Sequence, residues 1–173
     1  MPANIEIKAK INHLPQLEAL AARLSDGPGQ LLEQEDIFFQ TERGRLKLRI
    51  FSPQRGELIY YERADAAGPK QSTYFISPTA EPDSLKQVLS QALGIRGVVR
   101  KRRRLYLVQN TRIHLDQVAG LGDFLELEVV LGPQDTARQG QAIASELMAK
   151  LGVDEADLIE VAYIDLLEGQ GGE

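Results

Sequence analysis

Asn4-Ile5-Glu6-Ile7-Lys8-Ala9-Lys10-Ile11 alternates polar or ionic residues with apolar ones without interruption. Successive side chains of a β-strand point to opposite faces. Ile5, Ile7, Ala9 and Ile11 therefore form one face, and Asn4, Glu6, Lys8 and Lys10 the other. Alone, such a strand is the ordinary pattern of a half-solvated antiparallel sheet. The reading changes because strands further along repeat it.

Between Arg43 and Ile50 every odd position is a cation, Arg43, Arg45, Lys47 and Arg49, and Leu46, Leu48 and Ile50 take the other face. Edge protection needs little charge, whereas a ladder of cations repels itself unless anions neutralise it. An anionic partner is expected. The run Arg100-Lys101-Arg102-Arg103-Arg104 lies inside a strand over Val98–Val108, so it must divide, with Lys101 and Arg103 on one side and Arg100, Arg102 and Arg104 on the other. Arg112-Ile113-His114-Leu115-Asp116 sets Arg112, His114 and Asp116 on one face, and Phe124-Leu125-Glu126-Leu127-Glu128-Val129 pairs two carboxylates on another. His114 has no second ligand at metal-site spacing, so it reads as a hydrogen-bonded polar residue rather than a ligand.

The chain has 173 residues, 43% of them hydrophobic and 26% charged, which suits one domain with a true core. Residues 1–168 are read as that domain, and 169–173 as a disordered tail. The absence of cysteine excludes disulfides and thiolate chemistry. With no signal peptide and no apolar run long enough to span a bilayer, a soluble cytoplasmic protein with no membrane partner is expected. The formal charge of −5 argues against nucleic-acid binding, despite the basic run.

The remaining elements read as cover and connection. Pro15 suits a first helical turn, with Leu17, Leu20, Ala21 and Leu24 on one side, and Ser25-Asp26-Gly27-Pro28-Gly29 ends that helix. A second strand follows over Glu35–Gln40, and Ser52–Gly56 turns the third strand into a fourth, Glu57–Arg63. A loop over Asp65–Pro69 leads to a fifth strand, Gln71–Ile76. A helix from Pro82, with Leu85, Val88, Leu89 and Leu93 on its buried side, stops at Gly94. Asp135–Leu151 is helical, with Ile143, Leu147, Met148 and Leu151 on a stripe, and a segment from Asp154 carries Leu158, Ile159, Tyr163, Leu166 and Leu167 as packing residues.

About eight strands with one apolar face each, and helices that need covering, imply that the apolar faces pack outward against the helices. The ionic faces then meet in the bore of a closed barrel. Cations of the third and sixth strands would oppose carboxylates of the first, seventh and eighth. That chemistry suits a metal-bound polyphosphate, because arginine and lysine hold phosphate oxygens and clustered carboxylates hold a hard divalent cation.

Glu6-x-Lys8, Leu46-Lys47-Leu48-Arg49, Lys101-x-Arg103, Leu115-Asp116 and Gly122-Asp123-Phe124-x-Glu126-x-Glu128 resemble the motifs of the CYTH superfamily, over nearly the whole chain. This group of triphosphate tunnel metalloenzymes includes class IV adenylate cyclases and thiamine triphosphatase. The resemblance implies an α+β fold with a closed eight-stranded antiparallel barrel and helices packed outside, a Mg2+ or Mn2+ cofactor, and a triphosphate-bearing small molecule as partner. It implies metal ligands at Glu6, Asp116, Glu126 and Glu128, and triphosphate contacts at Lys8, Arg45, Lys47, Arg49, Lys101, Arg103 and Arg112. Lys8, Arg49 and Lys101 take the catalytic roles. The family signature Glu-x-Glu-x-Lys has Asn4 at its first glutamate here, which leaves a second metal site without one of its carboxylates. The Lys–Tyr pair of the thiamine triphosphatases has no counterpart, since the second strand offers Phe38-Phe39 and the fourth Glu62 or Arg63.

The expected activity is metal-dependent hydrolysis of inorganic triphosphate or a related triphosphate. The alternatives are a class IV adenylate cyclase, which uses the same cage, and a polyphosphate-binding module without turnover, a reading Asn4 keeps open.

Overall fold

The alternating strands close on themselves. The computed structural model describes residues 3–63 and 68–171. Its elements in chain order are β1 (Ala3–Lys10), α1 (Leu14–Leu24), β2 (Gln30–Phe39), β3 (Arg45–Ser52), β4 (Arg55–Arg63), β5 (Lys70–Thr79), α2 (Pro82–Leu93), β6 (Ile95–Val108), β7 (Thr111–Val118), β8 (Gly122–Leu131), α3 (Ala137–Lys150) and α4 (Tyr163–Gly171), with one 3-10 turn at Glu155–Asp157. The strands form a closed barrel in the order β1-β5-β4-β3-β2-β6-β7-β8, β8 returning to β1, with every pair antiparallel. The expected α+β barrel is therefore present.

Several strands run longer than their sequence pattern. β2 begins at Gln30, ahead of the expected Glu35, because it pairs with β6 from Leu105 to Ile95. Leu31-Leu32 breaks the alternation there, which hides the strand. β3 begins at Arg45, so Arg43 stands outside the ladder in the preceding turn. The loop expected over Asp65–Pro69 falls largely on residues 64–67, outside the described residues.

Outward apolar faces pack as the alternation requires. Ile7, Ile113, Leu115, Leu125 and Leu127 meet Leu17 and Ala21 of α1 and Leu147 of α3 in one cluster. Ile5 and Val129 meet Ala144 in a second. Gly140 permits the close seat of α3, because a Cβ there would lie 2.6 Å from Ile5 Cγ1 and 2.8 Å from Leu131 Cδ2. α3 starts with a capping box, in which Thr136 Oγ1 accepts from the Gln139 amide and Gln139 Oε1 accepts from the Thr136 amide.

α2 covers Ile37, Phe39 and Leu48 through Leu85 and Leu89, with Pro82 buried at its start. Val88, expected on its buried side, is 63% exposed because it lies off the i, i+4 ridge of Leu85 and Leu89, and Leu93, the next residue of that ridge, is 40% exposed at the last position of the helix.

α4 departs from the expected external cover. Ala162, Tyr163 and Ile164 pack against Phe38, Ile59, Tyr61, Val99, Val118 and Phe124, residues of the inner parity, and so stop one end of the barrel. Gly97 of β6 lacks the side chain that would collide with Ile164. The helix continues to Gly171, into the stretch expected as a tail, and residues 172–173 lie outside the described residues.

Leu127 is fully buried between barrel and helices. Leu127→Ala is expected to lower unfolding free energy in urea by about 2–5 kcal/mol. A loss under about 1 kcal/mol would show that this face is not close-packed.

Candidate functional site

The inner parity of all strands opens into one cavity of about 310 Å³, stopped at one end by Ala162 and Tyr163. Its lining carries eight lysines and arginines against five carboxylates among the described residues, a cationic excess inside a chain whose formal charge is −5. Arg102, by contrast, faces outward from β6 and pairs with Glu33 at 3.0 Å, and Arg100 likewise pairs with Glu35.

Register decides which charges meet. On β2 and β3, Asp36 lies opposite Arg49. Its carboxylate accepts from Arg49 Nε and Nη2 at 2.8 and 2.9 Å and from Lys101 Nζ at 3.1 Å, with Lys47 Nζ at 3.7 Å. Burial alone would raise the Asp36 carboxyl, yet these three cations hold it well below the usual range. The anionic partner expected for the cation ladder is thus partly built in. Lys47 remains at a disadvantage: burial and the neighbouring Arg49 lower its ammonium well below the ordinary lysine value.

On β6 and β7, Arg103 lies opposite Asp116. Arg103 donates to both oxygens of Asp116 at 2.7 and 2.8 Å, and Tyr163 Oη donates to Asp116 Oδ2 at 2.9 Å. Asp116 is fully buried, does not line the cavity, and is held down to about 2, burial being outweighed by Arg103. The structure therefore places it behind Arg103, as the group that aims that guanidinium, and does not bring it together with the other carboxylates.

Those carboxylates come from β1 and β8, where Glu6 lies opposite Glu128 and Lys8 opposite Glu126. Burial raises Glu6 to about 7, and repulsion from Glu126 and Glu128 adds to it, although Arg63 Nη1 donates to Glu6 at 3.1 Å. Burial also lowers Lys8 to about 7. Its ammonium sits 4.0 Å over the Tyr163 ring. Glu126 is held low, since Lys8 and Arg103 outweigh its burial.

His114 lies opposite Glu126 on β7. Donor atoms of His114, Glu126 and Glu128 all lie within 4.8 Å of one another. Burial and Arg103 keep the imidazole uncharged, and its Nδ1 has no hydrogen-bond partner. The reading of His114 as a hydrogen-bonded polar residue is corrected by that orphaned nitrogen. Asn4 Oδ1, also lining the cavity, is buried without a partner. Unpartnered donor atoms beside clustered carboxylates fit a divalent cation, with Glu126 and Glu128 as its oxygen ligands.

Two expected phosphate contacts sit at the margins. Arg45 is bound to Asp165 of α4 at 2.8 Å and does not line the cavity. Arg112 lines the open end and pairs with Glu128 at 3.1 Å. Lys8, Lys47, Arg49, Lys101 and Arg103 do converge on the bore. Asp36, Arg63 and Tyr163 join them without having been expected. The signal for Asp36 was its parity with Phe38, and for Arg63 its parity with Glu57.

A closed antiparallel barrel with a charged, blind bore is the architecture of the tunnel proteins. The chain belongs to the CYTH family, whose domain it matches over residues 2–163. Its fold is similar to that of the PH1012 protein from Pyrococcus horikoshii OT3, at 24% identity over 94% of this chain and 98% of that one, with a TM-score of 0.80. HpAC1 from Hippeastrum, described by its dominant triphosphatase activity, is 14% identical over 100% and 97% of the two chains, at a TM-score of 0.65. The S. pombe RNA triphosphatase Pct1, solved in complex with the Spt5 CTD, is 14% identical over 87% and 78%, at a TM-score of 0.50. No curated protein matches the chain. No helix among the described residues is long and apolar enough to cross a membrane.

The raised Glu6 has a definite sign in stability. The folded protein keeps a proton that the unfolded chain releases above 4.5, so this group's contribution falls as pH rises from about 4.5 to about 7. His114, lowered by burial, adds the opposite slope at mildly acidic pH, and Glu6→Gln leaves that slope in place. In metal-free buffer, the stability of Glu6→Gln relative to the parent is expected to increase between pH 5 and 7.5. A difference that stays constant in urea titrations across that range would show that Glu6 is already ionised in the folded state.

Proposed function

We propose that the protein is a divalent-metal-dependent phosphohydrolase that cleaves inorganic triphosphate or a related triphosphate. The observation that carries this reading is the opposition, within one blind bore, of a cation wall (Lys47, Arg49, Lys101, Arg103) and a carboxylate wall (Glu6, Glu126, Glu128). A fully ionised triphosphate bears about five negative charges, and a divalent ion leaves about three, close to the excess of eight cations over five carboxylates in the lining. HpAC1, an adenylyl cyclase by name that is described by a dominant triphosphatase activity, and the RNA triphosphatase Pct1 lend the reading support from the same fold.

In this reading Lys47, Arg49 and Lys101 grip the phosphate chain along one wall, and Arg103, fixed by Asp116, grips it from the next. A water attacks the terminal phosphorus, the bridging P–O bond breaks, and diphosphate leaves while the water's proton passes to solvent or product. Lys8, Arg49 and Lys101 stabilise the charge that develops on the leaving oxygens. Glu126 and Glu128, with Glu6 beside them, would hold the metal, which supplies charge neutralisation and orientation of the phosphoryl oxygens. The ion pairs around Asp36 and Asp116 set the geometry before the substrate arrives, so little reorganisation is left for the reaction.

One feature favours a nucleoside triphosphate, hydrolysed or cyclised, as the second reading. Leu32, Phe51, Ile76 and Leu105 line the cavity away from the Ala162 and Tyr163 stop, and Ile76 is 44% exposed. Such a collar offers apolar contact to an organic group carried on the phosphate chain.

The test is incubation with triphosphate or ATP and Mg2+ or Mn2+, followed by analysis of phosphate, diphosphate and cyclic AMP. Phosphate released from triphosphate is the expected result, and Glu126→Gln should reduce it by about a hundredfold or more. Cyclic AMP with little phosphate would favour the cyclase, and tight binding without products would overturn turnover altogether.

A further inference from the structure

We infer that His114 is a metal ligand of the bore, its imidazole completing with Glu126 and Glu128 a mixed nitrogen and oxygen site that takes Mn2+ or a later first-row ion in preference to Mg2+. This rests on the reading of the bore as a metal and polyphosphate site and specifies which metals it takes.

The topology places the three residues together. His114 and Glu126 are directly paired across β7 and β8, and Glu128 follows on the same face of β8. Their donor atoms lie within 4.8 Å of one another, near the span of donors around an ion bonded at about 2.0–2.3 Å. The histidine is 4% exposed, lines the cavity, and has an Nδ1 with no hydrogen-bond partner. A buried imidazole nitrogen without a partner is rare unless an ion or water satisfies it.

Two neighbouring carboxylates are committed to other partners, whereas the imidazole Nδ1 is not. Asp116 is committed to Arg103 and Tyr163, and Glu6 shares an oxygen with Arg63. Asn4, on the inner face of β1, offers an amide where a carboxylate would strengthen an all-oxygen site for Mg2+. Exchange of a hard oxygen donor for imidazole shifts preference towards softer divalent ions.

The experiment uses the full chain loaded with MnCl2, with MgCl2 as competitor. Pulsed electron paramagnetic resonance of the Mn2+ protein should show nitrogen hyperfine coupling that changes on 15N-histidine labelling. His114→Ala should lose that coupling and reduce the Mn2+ over Mg2+ affinity ratio by about tenfold or more. The labelled parent protein answers the question even if the variant folds poorly, and circular dichroism reports whether it does. Bound Mn2+ without histidine coupling, or no Mn2+ binding at all, would overturn the assignment. Triphosphate turnover without the coupling would leave the hydrolase reading standing, whereas coupling without turnover would sustain the ligand and remove the hydrolase.

Discussion

Burial of ionised side chains inside a closed barrel is the constraint on which the structure depends. Closure of the sheet leaves the inner face with little water, and an ion there is tolerated only with partners of opposite sign. The strand register supplies these partners. Asp36 receives Arg49, Lys101 and Lys47, while Asp116 receives Arg103 and Tyr163. A shift of one residue in β2 against β3 would turn Asp36 outward and leave Lys47 and Arg49 without their counter-ion. The same ion pairs that make the barrel tolerable therefore fix its register.

The carboxylates inside the barrel divide by use. Asp36 and Asp116 are held low by cations that bond them directly, which makes them parts of the scaffold. Glu6 is raised by its burial and by Glu126 and Glu128, and Lys8 and Lys47 are lowered by their burial, so these groups carry charge at a disadvantage while the bore is empty. A cation near the carboxylates and a polyanion along the cation wall would each relieve one side of that imbalance. α4 adds the third constraint, because Tyr163 closes the end of the bore and also fixes Asp116, so the depth of the cavity and the aim of Arg103 are set by one side chain.

Much of this was legible in the alternation. The parity of Lys101 and Arg103 against Arg100, Arg102 and Arg104 was correct because a strand imposes period two on any residue type. The identity of the bore followed from ionic faces that could only meet one another. Parity names a face and not a partner, so Asp116 was placed with Glu126 although it bonds Arg103. His114 looked solitary because its neighbours come from another strand, opposite it only once β7 and β8 are in register. α4 has a short apolar stripe that reads alike against the outside of a sheet or the end of a barrel, and only three-dimensional placement distinguishes the two. Early β2 was hidden by Leu31-Leu32, where one leucine is 47% exposed and the other lines the cavity.

The central claim is that inward and outward cations of this barrel differ in kind. Titration of triphosphate by calorimetry into Lys47→Met and Arg102→Ala tests it, since Lys47 lines the bore and Arg102 pairs with Glu33 on the outside. Lys47→Met should weaken binding by about 1.5–3 kcal/mol, the scale of a charged hydrogen bond, while leaving the unliganded protein as stable as the parent or more so. Arg102→Ala should leave binding unchanged. Equal losses in the two variants, or none in either, would contradict the bore as the place where a polyanion binds.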